Sequence, residues 1–507
     1  MNKELSYLLE ADKKIMHLNN IVALLSWDME TLMPEAAIEE RSTQMSLMAE
    51  MIHTLRTDVK IKEAVEVLLK DSSLSDAHSA LVRSWDRFFK TEGNLPVDFV
   101  MRYARTQTQA HVAWVSAREK DDYSIFAPVL KEMVNLLKER TSYIDKNKKP
   151  YDVLLDDYEI GMREDILDKV FDKLETEIHS ILDKYPSLQT VNDDFLNVPF
   201  EKDSLHEFCM NVFKDMGYNE KNHVVSLAVH PFSTKLGSSD IRQTTRYFDS
   251  GIFDPIATMM HEGGHSLYEE YASLNSEIRG LSIASGVSMG IHESQSRFWE
   301  NIIGRSSGFW KKYYKELVDK VPSLKDVSEK DFLQGINKAS TQTLRVNADE
   351  LTYGLHIILR YRMEKLIMNS DVDFDALPEI WNEMSAKILR YTPKNNREGI
   401  LQDVHWSAGL IGYFPTYALG NLYCAMFTKQ IKKEMKDFSS YVESGNFAPI
   451  KNWFIEKIWN NGAIYEPSVL LKNITGKELS SDEFIEYLLD KYNTIFSLEG
   501  QENECTK

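Results

Sequence analysis

Cysteine and proline are scarce in this chain of 507 residues. The three cysteines, Cys209, Cys424 and Cys505, are too few and too scattered to form a disulfide framework. This usage favours a reducing, cytoplasmic setting. Only 14 prolines interrupt the chain, so long helical stretches can run unbroken.

Basic charge is also in short supply. Lysine and arginine number 59 against 78 aspartates and glutamates, which gives a formal net charge of −19. The basic patch or stripe of a nucleic-acid-binding protein is not seen, and an acidic balance disfavours anionic membrane surfaces. No run of about 18 apolar residues could span a membrane, and the first residues lack the apolar core of a signal peptide. We therefore expect neither nucleic acid nor membrane as a partner.

Helical periodicity dominates what is present. Leu130, Met133, Val134 and Leu137 recur at the spacing of one helix face. Leucines near the start of the chain indicate another helix. We find no internal repeat, low-complexity segment or linker, so we expect a mostly α protein.

One region departs from the helical pattern. Residues His223 to Tyr247 are rich in valine, threonine and isoleucine, and "KLGSSD" is typical of a turn between extended runs. This pattern predicts a small antiparallel sheet of two or three strands, after which a helix resumes at about Pro255.

That helix contains the sequence "HEGGH". His261 and His265 are four residues apart, so on a helix their rings are neighbours and can converge on one zinc ion. Glu262 lies about 100° further round. From there it cannot easily be a ligand, but it is placed to take a proton from a water at the metal.

The alternative is an amphipathic helix that carries two histidines for no metal. Gly263 and Gly264 argue against it, because each costs about 1 kcal/mol relative to alanine inside a helix. Two in succession need a reason, such as the close approach of substrate or of a neighbouring backbone.

A catalytic zinc needs a third protein ligand and an open position. Glu269 and Glu270 have turned away from the metal side of the helix. Glu293, in "IHESQSRFWEN", follows after a loop and an antiparallel return, and we predict it as the third ligand. A surface carboxylate is the alternative. His292 beside it is either a support for the ligands or a buried structural histidine.

Several separate stretches together resemble the M32 family of metallocarboxypeptidases, the carboxypeptidase Taq group. They are "HPF" at His230–Phe232, "DIRQT" at Asp240–Thr244, "HEGGH" at His261–His265, "HESQ" at His292–Gln295 and "GILQDVHW" at Gly399–Trp406. The stretches "WDMETLMPEAAIEER", "YDVLLDDYEIGM" and "RVNADELTYGLHIILR" are similar too, so the resemblance runs from about residue 27 to 421.

The resemblance implies one catalytic domain over residues 1–507, with a large multi-helix fold of gluzincin type, a deep groove and commonly a homodimer. It implies release of C-terminal residues from peptides with broad side-chain tolerance. It also implies zinc on two histidines and one glutamate, a ligand set that is compatible with cobalt as well. Two positions depart from the family pattern. Gly263 stands where a large residue is common, which we expect to enlarge the local wall, and Met29 stands where glutamine is common.

A carboxypeptidase must also hold a free carboxylate, which a guanidinium does with two charge-assisted hydrogen bonds. Arg242, Arg246, Arg345 and Arg360 are the candidates, and the resemblance favours Arg345. For any one of them, a salt bridge to a nearby acid is the alternative.

The remaining predicted roles come from the same likeness. Related gluzincins place a histidine and a tyrosine after the metal motif to stabilise the oxyanion, so we assign His405 and Tyr413. Tyr417 is a reserve, or packs in the core. A further set is expected to shape and close one end of the groove: Gln402, Asp403, Asp240, Arg242 and His230.

Two rivals to this reading are an endo-oligopeptidase with the same metal core and a non-enzymatic peptide-binding scaffold. Cleavage that is insensitive to C-terminal amidation would favour the first. The intact set of His261, Glu262, His265 and Glu293 weighs against the second.

Overall fold

The computed structural model describes residues 2–248 and 251–496. Cys505 lies outside the described residues, and Cys209 and Cys424 are buried and are not joined in a disulfide. The described chain is mostly helical, as the periodicity predicts. Its α-helices are α1 (Lys3–Thr31), α2 (Ile38–Arg56), α3 (Val59–Leu68), α4 (Asp76–Lys90), α5 (Val97–Lys120), α6 (Ala127–Asp145), α7 (Pro150–Tyr158), α8 (Glu164–Lys184), α9 (Lys202–Met216), α10 (Phe253–Ala272), α11 (Met289–Arg297), α12 (Ser307–Lys320), α13 (Glu329–Ile336), α14 (Tyr353–Asn369), α15 (Leu377–Ile388), α16 (Pro415–Glu434), α17 (Phe438–Ser444), α18 (Ala448–Lys457), α19 (Pro467–Thr475) and α20 (Asp482–Phe496).

The periodic apolar residues are buried where the pattern places them. Leu130, Met133, Val134 and Leu137 all lie in α6 and are almost fully buried. Short 3₁₀ turns join many of the helices, and a π-helical turn at Phe298–Ile303 continues α11. None of the helices in the described ranges combines the length and the apolar character needed to cross a bilayer.

Three strands form one small sheet: β1 (His223–Leu227), β2 (Ser233–Gly237) and β3 (Asp240–Thr245). Strand β3 lies in the middle. It pairs with β2 antiparallel across the predicted turn, and with β1 in parallel. The expectation of a small sheet is confirmed, but the sheet is mixed. The hairpin turn places β2 against one edge of β3, so only the other edge is left for β1. There β1 runs in the same direction as β3.

The chain forms two compact units, each assembled from three segments. Unit 1 comprises Met1–Phe89, Asn192–Ile336 and Cys424–Glu478, and contains the sheet together with α10 and α11. Unit 2 comprises Lys90–Val191, Asn337–Tyr423 and Leu479–Lys507, and contains α5 to α8 and α14. One catalytic domain over residues 1–507 stays a prediction.

The central helix of each unit is buried almost all round. In unit 1, α10 packs against α11, α9 and the sheet, and most of its residues are inaccessible to solvent. In unit 2, α14 packs against α6, α7, α8 and α15 and is similarly buried. Helices enclosed in this way hold polar side chains in fixed positions, because a buried polar group needs a partner.

Candidate active site

Helix α10 carries His261, Glu262 and His265, and its close contact with α11 depends on Gly264. A Cβ atom at Gly264 would lie 2.7 Å from the carbonyl oxygen of Gln295 and 2.8 Å from the Cα of Ser296. Only glycine therefore allows the two backbones to approach this closely. The close approach of a neighbouring backbone is thus the reason for this glycine.

Gly263 is adjacent to Gly264 in the sequence but contacts a different helix. A Cβ atom there would lie 2.8 Å from the ring of Phe213 and 3.0 Å from the terminal carbon of Met216. Both side chains belong to α9, so Gly263 allows α9 to pack against α10. The expectation that this glycine enlarges the local wall is wrong, because the space beside it is filled by α9.

Three potential ligands converge beside these glycines. His261, His265 and Glu293 each present one ligand atom, and these atoms lie within 4.8 Å of one another. The Nε2 atoms of His261 and His265 lie 3.7 Å and 3.5 Å from the same oxygen, Oε2 of Glu293. Ligands at about 2.0–2.1 Å from a tetrahedral zinc are roughly 3.3 Å apart, so this donor set fits such an ion.

The outer nitrogen of each histidine is engaged, which leaves Nε2 for a metal. Nδ1 of His261 donates to Oε2 of Glu300 over 2.8 Å. Nδ1 of His265 lies 2.5 Å from Nδ1 of His292, whose Nε2 is 3.0 Å from Oε1 of Glu269. If His292 donates to Glu269, its Nδ1 accepts from His265. Nε2 of each predicted ligand then faces the carboxylate of Glu293, and in the neutral imidazole this nitrogen is unprotonated, the form that binds metal.

The carboxylate of Glu293 is oriented in the same way. Nε of Arg297 donates to its Oε1 over 2.7 Å, and Nη1 of Arg297 donates to Glu300 over 3.2 Å. Arg297 thus holds one oxygen of Glu293 and leaves the other towards the imidazoles. Lys235 on β2 pairs with Glu269 over 2.7 Å. The negative charge of the carboxylate that binds His292 is therefore balanced.

Burial and neighbouring charges shift the pKa values of this cluster in different directions. Burial alone would lower the pKa of His261, but Glu293 and Glu300 outweigh it and raise the value to about 9. Burial and the neighbouring His292 lower the pKa of His265 to about 3. Burial raises the pKa of Glu262, which also receives a hydrogen bond from Ser233. A raised pKa suits a carboxylate that takes up and returns a proton.

Sequence reasoning missed Arg297 and Glu300. Both follow Glu293 at helical spacing, four and seven residues later, so they lie on one face with it. That spacing was a usable signal. The pairing of Glu269 with His292 and Lys235 had no such signal, because the three residues lie on different elements.

Arg345 in unit 2 lies in a compact charged group. Its Nε donates to Oδ1 of Asp403 over 2.9 Å and its Nη1 to the hydroxyl of Tyr353 over 3.1 Å. Gln402 accepts from the backbone N–H of Arg345 over 3.0 Å. The fully buried Arg360 binds the other oxygen of Asp403. Two guanidinium groups therefore share one carboxylate, and one positive charge is left in excess.

The predicted aromatic residues also lie together in unit 2. Nε2 of His405 is 3.3 Å from the hydroxyl of Tyr417. The ring of Tyr413 lies 5.7 Å from that of His405 and 5.3 Å from that of Tyr417, between centroids. Burial lowers the pKa of His405 to about 4, so this histidine is neutral near pH 7.

The residues predicted to close one end of a groove fall into different settings. Asp240 and Arg242 pair with each other on β3 through two bonds of 2.8 Å. Gln402 and Asp403 hold Arg345. His230 is exposed in the segment before β2. Their shared role at a groove end stays a prediction.

Comparison with known proteins gives one consistent result. The profile of the carboxypeptidase Taq (M32) metallopeptidases matches residues 7–492. Carboxypeptidase 1 of Bacillus subtilis is 35% identical over 489 residues, covering 96% of this chain and 97% of the relative. Thermostable carboxypeptidase 1 of Pyrococcus furiosus is 34% identical over 497 residues, covering 97% of this chain and 99% of the relative.

A solved structure agrees with these relatives. The M32 carboxypeptidase from Deinococcus radiodurans superposes with a TM-score of 0.94 at 30% identity, covering 98% of this chain and all of that one. The match therefore extends over nearly the whole sequence and the whole fold. The chain is a metallocarboxypeptidase and belongs to the carboxypeptidase Taq (M32) family of metallopeptidases.

Proposed function

We propose that this chain is a zinc-dependent carboxypeptidase that releases C-terminal residues from peptides with broad side-chain tolerance. His261, His265 and Glu293 hold the ion, and Glu262 is the general base. The observation that carries the proposal is the convergence of two Nε2 atoms on one oxygen of Glu293, at 3.7 Å and 3.5 Å. A zinc ion held there polarises the scissile carbonyl and lowers the pKa of water.

The protein's own groups carry the proton. Glu262 follows His261 directly on α10 and is almost fully buried. It removes a proton from the attacking water and then returns it to the leaving amine. His405 and Tyr413 donate hydrogen bonds to the oxyanion of the tetrahedral intermediate. The lowered pKa of His405 supports a neutral imidazole in that role.

Arg345 binds the terminal carboxylate of the peptide. The excess positive charge around Asp403 supports this role, since a substrate carboxylate would neutralise it. Arg360 is less suitable because it is completely buried, and Arg246 donates to the carbonyl of Val229. The fork of Arg345 keeps the last amide in register for cleavage.

Other parts of the proposal rest on the family, and the cytoplasmic location rests on the sparse cysteines. Cobalt is an alternative ion for the same ligands. The substrates are peptides with a free C-terminus, and the working form is a homodimer in the cytoplasm. A further set of residues contacts the peptide or lines its binding site: Tyr417, Gln402, Asp403, Asp240, Arg242 and His230.

A peptide ladder tests the proposal. A long unstructured peptide is incubated with zinc-loaded protein, once with a free C-terminus and once amidated, and the products are read by mass spectrometry. We expect successive loss of single residues from the free C-terminus and none from the amide. Equal internal cleavage of both peptides would instead identify an endo-oligopeptidase.

The variant Glu262→Gln tests the general base. It should keep its zinc and lose turnover by roughly 10²–10⁴-fold. Glu270→Gln is the matched control, because Glu270 is a buried glutamate of the same helix that binds Asn222 over 2.7 Å. Full turnover in Glu262→Gln would refute this role.

A further inference from the structure

A buried carboxylate on α14 lies outside the residues assigned so far. Glu364 is completely inaccessible to solvent. Its Oε1 accepts from Nε1 of Trp406 over 2.8 Å. Its Oε2 accepts from the hydroxyl of Tyr151 over 2.8 Å and from the backbone N–H of Gly412 over 2.9 Å. Three donors therefore meet one carboxylate, an arrangement that suits its ionised form, which only accepts.

Two of these donors adjoin the residues assigned to the oxyanion. Trp406 follows His405 and Gly412 precedes Tyr413. The segment between them is irregular, since only residues His405–Ala408 form a short 3₁₀ turn. An irregular segment does not fix its own side chains as a helix does, so its positions depend on outside anchors.

Gly412 is held against α7 as well. Its φ of +93° favours glycine, and a Cβ atom there would lie 2.9 Å from the backbone of Leu154. The ring of Tyr413 then packs against Tyr158 of α7, with centroids 5.2 Å apart. The bond to Glu364 thus fixes the peptide group from which the side chain of Tyr413 departs.

The anchor at Trp406 is similarly enclosed. Its indole packs edge-on against Trp381 of α15, with centroids 5.9 Å apart, and is 5% exposed. A buried indole N–H needs an acceptor, and Glu364 supplies it. The backbone of His405 is therefore tied to α14 through its neighbour.

Burial disfavours the ionised form of Glu364, which is the form that accepts all three hydrogen bonds. Burial raises its pKa to about 7, although Gly412, Trp406 and Tyr151 all act to lower it. The charged or titratable groups that act on it include Arg360 on its own helix and Tyr151 and Tyr158 on α7. A carboxylate that served packing alone would be replaced at less cost by an apolar group.

We propose that Glu364 is a positioning residue of the carboxypeptidase reaction, which fixes His405 and Tyr413 by accepting hydrogen bonds from Trp406 and Gly412. The proposal rests on the proposed function, in which those two residues stabilise the oxyanion. Glu364 itself touches no substrate.

Glu364→Gln tests it on the zinc-loaded protein. The amide has one acceptor oxygen and turns its NH₂ group towards either Trp406 or Gly412, so one anchor is lost. We expect kcat to fall roughly tenfold to a hundredfold. KM and the zinc stoichiometry should change little. Glu159→Gln is the matched control, because Glu159 is a buried carboxylate of the same unit that accepts from Tyr423. It should lower the thermal midpoint and leave kcat intact.

A second variant removes one hydrogen bond to Glu364 without replacing Glu364 itself, in case Glu364→Gln does not fold. Trp406→Phe keeps an aromatic side chain but removes the N–H together with part of the indole ring, and it should lower kcat in the same direction by a smaller factor. A loss of thermal midpoint with unchanged kcat in both variants would overturn the proposal, since it would identify a purely structural group.

A double variant separates the two proposals. Because Glu364 acts in part through Tyr413, Glu364→Gln should lower kcat by a smaller factor in the Tyr413→Phe background than in the unmodified protein. If Tyr413→Phe and His405→Ala each retain full kcat, the oxyanion roles in the proposed function fail. If those variants are slow but Glu364→Gln adds its full effect to them, the positioning role alone fails.

Discussion

At the scale of single residues, the site is built from side chains that fix one another. Arg297 holds one oxygen of Glu293, and Glu300 holds the outer nitrogen of His261. Such outer partners set tautomer and orientation, and their loss typically weakens metal binding by 10–100-fold. In unit 2, Asp403 and Tyr353 similarly fix the guanidinium of Arg345, the residue proposed to bind the terminal carboxylate.

Arg345→Met should lower kcat/KM for a peptide with a free C-terminus by roughly 10–100-fold, because a charged hydrogen-bond donor is removed. Arg360 still neutralises Asp403 in this variant, so the fold is preserved. Arg246→Met is the control, since that side chain donates only to a backbone carbonyl of Val229 among the described contacts. Steady-state kinetics on the peptide with a free C-terminus measures kcat/KM for both variants. An unchanged kcat/KM in Arg345→Met would exclude Arg345 as the residue that binds the terminal carboxylate.

At the scale of elements, the contact between α10 and α11 makes the metal cluster possible. Helical periodicity predicts that His261 and His265 share a face. The antiparallel return of the chain after the loop predicts that Glu293 lies close to them. The sequence does not state which glycine faces which neighbour. Gly263 meets α9 and Gly264 meets α11, and only packing distinguishes them.

Gly264→Ala should push α11 away and weaken zinc binding at least tenfold, because its Cβ meets backbone atoms that cannot move alone. Gly263→Ala is the matched control on the same helix. Its Cβ meets the side chains of Phe213 and Met216, which can shift, so zinc affinity should be retained. Competition with a chromogenic chelator measures both affinities, and equal affinity in the two variants would contradict this account of Gly264.

At the scale of the whole molecule, local pattern predicts the helices, the small sheet and the metal motif. It does not predict contacts between distant segments. Tyr151 and Gly412 meet on Glu364, and Lys491 of α20 meets Glu350 beside the Arg345 segment. These pairs are far apart in sequence and have no fixed spacing. The parallel placement of β1 was missed for a different reason, because residue pattern predicts that β1 is a strand but not which edge of β3 it joins or in which direction.

The raised pKa of Glu364 has a consequence for stability. Between about pH 4.5 and pH 7 the folded state binds more protons at this group than the unfolded state, so its contribution makes stability fall as pH rises. The full effect is a few kcal/mol. In Glu364→Gln that part of the slope should vanish. Denaturant unfolding from pH 4.5 to 8 measures it, and identical slopes in the two proteins would show that Glu364 titrates normally.

We expect two imidazoles and one carboxylate to hold one zinc ion in this protein. Zinc K-edge X-ray absorption on the loaded enzyme measures that coordination. We expect a shell of nitrogen and oxygen at about 2.0–2.1 Å, with the outer-shell scattering of two histidines. Sulfur in the first shell, or a spectrum without imidazole scattering, would contradict it.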